Sequence, residues 1–293
     1  MAYKSRGYTV FTIFNYIILT LIGIACLYPM YYVLIASISD PVKLIGHDGL
    51  LLLPLKNLTL DGYRMVFQNR LVLNGYRNTV IILATGILVN MTFTVLGAYV
   101  LSLRKLLWRK QLTIFIIVTM YFSGGMIPAY LNIKDLGMMD SLLALIVPNA
   151  INTSNLLIMR SAFMSLPESL SEAAEIDGAT HGQILIHVML PLVKATMAVL
   201  VLYYGVAHWN SWFNASIYLR SSDKFPLQLV LRNILIEGQT NDMLSDVGSA
   251  DNPQAMQLLK YSLIVVSTLP IMCVYPFLQK FFEKGVMMGA VKG

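Results

Sequence analysis

Six runs of mostly apolar residues divide this sequence, at about 10–38, 79–103, 112–131, 141–163, 188–213 and 258–282. A helix needs about 20 such residues to cross the roughly 30 Å hydrocarbon layer of a bilayer. In hydrocarbon only helices and closed barrels satisfy their own backbone hydrogen bonds. The pattern predicts an all-α polytopic membrane protein, with six transmembrane helices in a single domain over residues 1–293. Composition agrees, because only 12% of the residues are charged against about 25% in an ordinary soluble domain. The first run is too long for a signal-peptide core and no small-residue cleavage site follows it, so it is expected to stay in the protein.

Basic residues set the expected orientation. Arg104, Lys105, Arg109 and Lys110 crowd the short link between the second and third runs, and short links rich in Lys and Arg stay cytoplasmic. With an even number of spans, Lys4 and Arg6 at one end and Lys280, Lys284 and Lys292 at the other fall on that same side. Both termini are therefore expected in the cytoplasm, with residues 39–78, 132–140 and 214–257 outside. The net charge of +6 comes from residues that flank apolar runs and form no single stripe, so nucleic acid is not an expected partner. Residues 61–67 and 227–236 carry apolar positions at helical spacing, while 238–253 is polar and rich in turn formers and reads as a mobile loop.

Reaction chemistry is missing from the chain. It contains no GxxxxGK[ST] phosphate loop and no HExxH pair. Cys26 and Cys273 sit singly in separate apolar runs, without the neighbours a metal site needs. His47, His181, His187 and His208 are scattered and read as solvated or interfacial. The chain is accordingly not expected to be an enzyme, nor to hold a catalytic residue, metal or cofactor. Ion-coupled carriers keep carboxylates or histidines inside the bilayer as relays, yet all 15 acidic residues fall outside the six runs. Arg160 and Lys194 stand near run ends, where long side chains snorkel. If this protein moves a solute, the energy is expected to arrive through another subunit.

Between the fourth and fifth runs lies an acidic, polar segment, SLPESLSEAAEIDGATHGQILIHVMLP. Pro167 suits a helix start, residues 169–176 form a short helix, Gly178 ends it, and a second short helix follows over 182–189. The expected product is a compact hairpin over 165–187, with an apolar ridge of Leu170, Ala173, Ala174 and Ile176 beside Glu172 and Glu175. Such a knob is shaped to dock in a groove of another protein. Glu172, Ala173 and Ala174, then three residues, Gly178, then nine residues, Val188, Met189, Leu190 and Pro191, resemble the EAA loop of ABC importer permeases, with Val188 in place of that pattern's isoleucine.

In that family the loop sits in a cleft of an ATPase subunit. The resemblance thus implies ATPase contacts for Glu172, Ala173, Ala174, Glu175, Gly178, Leu190 and Pro191. Residues 208–228 and the tail EKGVMMGAVKG are similar to carbohydrate-uptake permeases of the MalG-like kind, whose tail reaches between the ATPases. Gly289, Ala290, Val291, Lys292 and Gly293, in the tail over 283–293, would form that second contact. The resemblance also implies a second homologous permease, two ABC ATPases that bind ATP and magnesium, a soluble solute-binding protein outside, and residence in the bacterial plasma (inner) membrane. The cargo it implies is a sugar, with importers of oligosaccharides such as alginate the nearest subgroup. The alternative is a passive channel or scaffold subunit, stable and functional alone.

Cargo would pass along polar faces of the spans. Asn149, Asn152 and Asn155 recur at i, i+3, i+6 in the fourth run; Asn90, Tyr121 and Ser123 come from the second and third; Tyr203, Tyr204, His208, Trp209 and Asn210 come from the fifth. Aromatic faces and amides suit sugars, although amides also hydrogen-bond between helices in any membrane bundle. Arg64, Arg70, Arg77, Arg220 and Arg232 in the outer segments would suit an acidic saccharide, and structural pairing accounts for them equally well.

Overall fold

The computed structural model describes residues 6–47, 49–55, 58–236 and 253–290, with side chains in the last segment as far as Val274. Every regular element among them is helical. Two compact units divide the chain, one joining Met1–Arg70 to Asn233–Leu269 and the other joining Leu71–Arg232 to Pro270–Gly293.

In the first unit, α1 (Arg6–Ser37) is apolar on all sides, and its hydrophobic window buries nothing inside the protein. A helix of that kind must meet lipid or a partner chain. Only its last turns are covered: Ala36, with Tyr32 and Ile35, packs on Leu44 of α2 (Pro41–Ile45), on Leu51 and on Tyr261. Asp40 caps α2 by accepting from the Val42 N–H at 2.9 Å, as short acidic side chains do at helix starts. Gly62 of α3 (Asp61–Gln68) lets that helix close on Ser262 and Leu258, where a Cβ would collide with the Ser262 hydroxyl.

The second unit is organised by α4 (Arg70–Ser102), which is about 50 Å long at 1.5 Å per residue. Its buried stripe, Asn78, Ile82, Gly86, Asn90, Thr94 and Ala98, repeats every four residues. Small and polar residues at that spacing let helices approach closely in a membrane bundle. Ile82 belongs to one apolar cluster, with Ile133, Leu145, Tyr218 and Leu229. Val95, Ala98 and Tyr99 belong to another, with Met159, Phe163, Leu185 and Leu200. Gly86 and Asn90 lie between the two.

Three helices, Gly7–Ser37, Arg70–Ser102 and Pro253–Val274, are each long and apolar enough to cross a membrane. The third and fifth runs are bent pairs. Helix α5 (Arg109–Tyr121) turns by 110° into α6 (Met126–Asp135), and α10 (His181–Leu192) turns by 86° into α11 (Lys194–Trp209). The Gly124–Gly125 pair makes the first turn, with Gly125 at φ 89°, a conformation only glycine adopts without strain. Up to five spans are thus present among the described residues, against six expected.

The difference lies in the fourth run. Over 141–163 the chain forms α7 (Leu143–Ile146), a 3-10 turn (Val147–Asn149), a non-helical stretch and then α8 (Thr153–Met164). At 12 residues, α8 is about 18 Å long and short of a full crossing. Pro148 lacks the N–H that a continuous helix needs, and Asn152 caps the next helix instead of continuing the last. The segments expected to be helical over 61–67 and 227–236 are helices, α3 and α13 (Leu227–Leu235), with α12 (Phe213–Tyr218) before the latter. The expected loop over 238–253 falls outside the described residues up to Pro253, where α14 (Pro253–Ala290) begins. Arg160, expected to snorkel, donates instead from Nε to the Leu101 carbonyl at 3.1 Å, near the end of α4.

Asp140 fastens the link before α7 to the turn after α12. Its carboxylate accepts from the Ser221 hydroxyl at 2.6 Å, from the Ser221 and Arg220 N–H groups at 3.0 and 2.9 Å, and from Lys224 Nζ at 2.9 Å. The Ser221 hydroxyl above all, then those N–H groups and Lys224, hold this carboxyl well below the usual carboxylate range. A folded-state value below the unfolded one, about 3.9, gives stability that is present above that value and lost as pH falls through the folded one. Asp140→Asn is expected to lower the thermal midpoint at neutral pH, with the gap to the native protein closing under acid. A pH series of thermal melts in detergent checks both.

Candidate functional site

The break between α7 and α8 opens onto a cavity of about 440 Å³, walled by Asn149, Asn152 and Asn155 on one side and by Tyr203, Tyr204, His208, Asn210 and Asn214 on the other. No Asp, Glu, Lys or Arg lines it. Seven of the eleven residues expected on a cargo path are thus brought together: Asn149, Asn152, Asn155, Tyr203, Tyr204, His208 and Asn210. The three asparagines were expected as a helical stripe. They converge instead because the backbone unwinds between the first two, and the Asn152 carboxamide accepts from the Asn155 N–H at 3.1 Å to start α8.

Asn90 stands behind this wall. It is fully buried, and its amide nitrogen donates to the carbonyls of Asn149 at 2.6 Å and Ala150 at 3.1 Å. These are groups that a continuous helix would have paired. Its oxygen lies 2.6 Å from His208 Nε2. An amide oxygen only accepts, so the imidazole proton is on Nε2. Gly86 makes room for this ring, since a Cβ there would meet Nε2 at 2.5 Å. His208 is therefore a buried, paired histidine and not the solvated or interfacial one expected. Tyr204 completes the brace, accepting from the Asn152 N–H at 3.1 Å and sharing a hydrogen bond of 2.7 Å with Thr94. Tyr121, 83% exposed on α5, and Trp209, edge-on to Tyr76, do not line the cavity. Gly86, Thr94 and Asn214 escape a search for polar faces run by run. The four-residue repeat along α4 is the signal that would have found the first two.

The hairpin forms as its sequence dictates. Helix α9 (Glu168–Ile176) ends on Gly178 at φ 79°, with the Gly178 N–H donating to Glu175 O at 3.0 Å and the Ala179 N–H to Ala174 O at 2.9 Å. This double closure is the Schellman arrangement. Two residues on, Thr180 and Gln183 form a reciprocal capping box that starts α10. Over Ile184–Met189, α10 widens to a π-helix, which accommodates Pro191, a residue without the N–H a regular turn would use.

The expected ridge divides: Ala174 packs inward with Ala179, while Leu170, Ala173 and Ile176 face outward, Ile176 being 86% exposed. Arg104 pairs with Glu168 at 2.9 Å and Lys105 with Glu175 at 3.4 Å, so the basic link and the hairpin share one end of this unit around a groove of about 520 Å³. Exposed pairs contribute only about 0–1 kcal/mol each. Glu172 lies on that groove and forms no ion pair among the described residues. Leu190 packs against the neighbouring core and Pro191 is exposed at the foot of the hairpin. Of the expected tail contacts, Gly289 and Ala290 end α14, while Val291, Lys292 and Gly293 lie outside the described residues. Arg232 stacks over Trp212 at 4.6 Å, one structural pairing for an outer arginine.

An all-helical chain with long apolar spans, a broken helix at a polar cavity and an exposed hairpin after the fourth run defines a membrane permease. Residues 106–288 match the family described as binding-protein-dependent transport system inner membrane component, and the chain belongs to that family. It is 39% identical over 285 residues to the polygalacturonan/rhamnogalacturonan transport system permease protein YtcP of Bacillus subtilis, covering 97% of this chain and 98% of that one. It is 38% identical over 298 residues to protein LplC of the same organism, covering 99% and 98%. Its fold matches a chain in the crystal structure of a bacterial ABC transporter involved in the import of the acidic polysaccharide alginate, with a TM-score of 0.90 and 32% identity, covering 96% of this chain and all of the other. The protein is a transport permease component of a membrane transporter, not an enzyme.

Gly178→Val is expected to destabilise the hairpin by about 1–2 kcal/mol, the penalty for a side chain in the left-handed region, whereas Gly182→Ala, in open space on a helix, should be neutral. Amide exchange at Ala179 checks this, speeding up in the first variant only.

Proposed function

We propose that this chain is one of two permease subunits in an ATP-driven importer of oligosaccharides, seated in the bacterial plasma membrane with its hairpin and both termini in the cytoplasm. Two ATPase subunits would bind ATP and magnesium, one of them receiving the hairpin, and a solute-binding protein would deliver cargo on the opposite face. The supporting observation is the hairpin itself. An elbow closed by two local capping motifs presents Leu170, Ala173 and Ile176 to solvent beside Glu172, which forms no ion pair among the described residues. Exposed apolar side chains next to a carboxylate make a docking surface, and the sequence contains no GxxxxGK[ST] phosphate loop. The six-span count fits if the broken fourth run crosses the bilayer against its neighbours as α7, turn and α8 together.

An oligosaccharide cargo is supported by whole-length similarity to proteins named for polygalacturonan/rhamnogalacturonan and by the match to an alginate importer. The cavity of amides and phenols is then this subunit's share of the passage. The coupling contact is tested by Glu172→Lys combined with Ile176→Asp. The expected result is that the ATPases no longer co-purify and uptake stops while the two permeases stay associated. Continued co-purification with uptake intact removes the coupling assignment.

A further inference from the structure

Asn155 stands at the centre of the cavity wall. The residue is only 7% exposed, yet its side-chain amide has no hydrogen-bond partner among the described residues and reaches the cavity. An amide held in a largely buried side chain and turned to a polar cavity is completed by water or by a ligand in that space. The backbone beside it is also interrupted. Irregular backbone at membrane depth persists only where protein satisfies it or where it borders a polar cavity, and transporters use such breaks as binding sites. Here the inner side of the break is braced, with the Asn149 and Ala150 carbonyls on Asn90 and the Asn152 N–H on Tyr204. Its outer side presents carboxamides to the cavity.

Resting on the oligosaccharide reading above, we propose that the break at 149–155 is a sugar-hydroxyl subsite, in which the Asn155 amide, flanked by Asn149 and Asn152, binds cargo, and Asn90 and Tyr204 act as positioning residues. A carboxamide offers two donors and an acceptor in one plane, a match for adjacent hydroxyls that both donate and accept. The wall carries no formal charge, so the subsite reads hydroxyls and not carboxylates. It should accept neutral and acidic saccharides alike, leaving charge selection to other parts of the importer.

The test uses the complete importer in lipid vesicles, with Ser211→Cys, on the cavity wall outside the proposed subsite, in a chain whose Cys26 and Cys273 are replaced by serine. Labelling of the new thiol by a methanethiosulfonate reagent is followed while oligogalacturonide or maltooligosaccharide is titrated in. Both sugars are expected to protect the thiol. Adding Asn155→Leu should raise the half-protecting concentration of both by about five- to tenfold, the loss expected for one neutral hydrogen bond, and Asn155→Ser should raise it less. Asn90→Asp keeps the acceptor for His208 but turns an oxygen toward the two carbonyls; it should speed labelling without sugar and weaken protection, which a purely packing role for Asn90 would not do. Import of an oligosaccharide without any protection at position 211 overturns the subsite and leaves the permease reading standing. If the native complex imports neither sugar, the oligosaccharide reading fails and the subsite with it. Should Asn155→Leu not assemble, the protection result in the Ser211→Cys protein and the Asn155→Ser series still decide.

Discussion

A polypeptide that stops being helical inside an apolar bundle must find partners for each backbone group it releases, and in this protein one carboxamide supplies most of them. Asn90 reaches two consecutive carbonyls with its nitrogen and a histidine with its oxygen. A buried donor or acceptor left without its partner costs about 1–3 kcal/mol, so the interrupted fourth segment is tolerable only because α4 presents an amide at that height. The same helix supplies Gly86, the space into which His208 fits, and Thr94, the partner of Tyr204. Those residues stand one turn apart, so the brace is a property of one helix face and not of scattered positions.

The hairpin follows a different rule. Its turn is closed locally by Gly178, Thr180 and Gln183, and it is seated by Ala174, Ala179, Ile184 and Leu185, which share an apolar cluster with Tyr99 and Phe163. Locally closed elements of that kind keep their form wherever they are presented, which suits a part that must fit a partner. The ion pairs of Arg104 and Lys105 with Glu168 and Glu175 are exposed and too weak to set the fold. They orient the hairpin on the basic link and engage Glu168 and Glu175, while Glu172 and Asp177 form no ion pair among the described residues.

Much of this was legible in the sequence, for reasons that differ by element. The long helices α1, α4 and α14 announce themselves because unbroken apolar length has one solution in a bilayer. The hairpin is legible because its glycine and caps are local signals. The fourth run was misread as one helix because hydropathy counts side chains and is blind to whether backbone groups can be satisfied elsewhere; the break depends on Asn90, fifty-nine residues earlier in the chain. His208 was misread for the same reason, since its partner Asn90 is 118 residues away. The cargo-path residues were chosen by chemistry alone. Those on α8 and the end of α11 converge, while Tyr121 lies on the far side of a glycine turn that redirects its run by 110°.

The hairpin and the cavity are joined by one covalent path. From Thr180 the chain runs through the π segment and Pro191 to Val193, bends by 86°, and continues as α11 to Tyr204 and His208. Eleven residues of helix separate Val193 from Tyr204, about 16 Å of rod. Sliding this rod past α4 would break the bond between Tyr204 and Thr94 together with that between His208 and Asn90, and would uncover the Asn152 N–H. Close-packed interfaces of this kind switch between discrete arrangements and do not deform smoothly. Helices α4, α8 and α11 are thus tied to one another by side-chain bonds around the cavity, whereas the path from the hairpin is irregular at the π segment and at Val193, so the stiffest part of this unit is the wall of the cavity and the softest is its link to the hairpin.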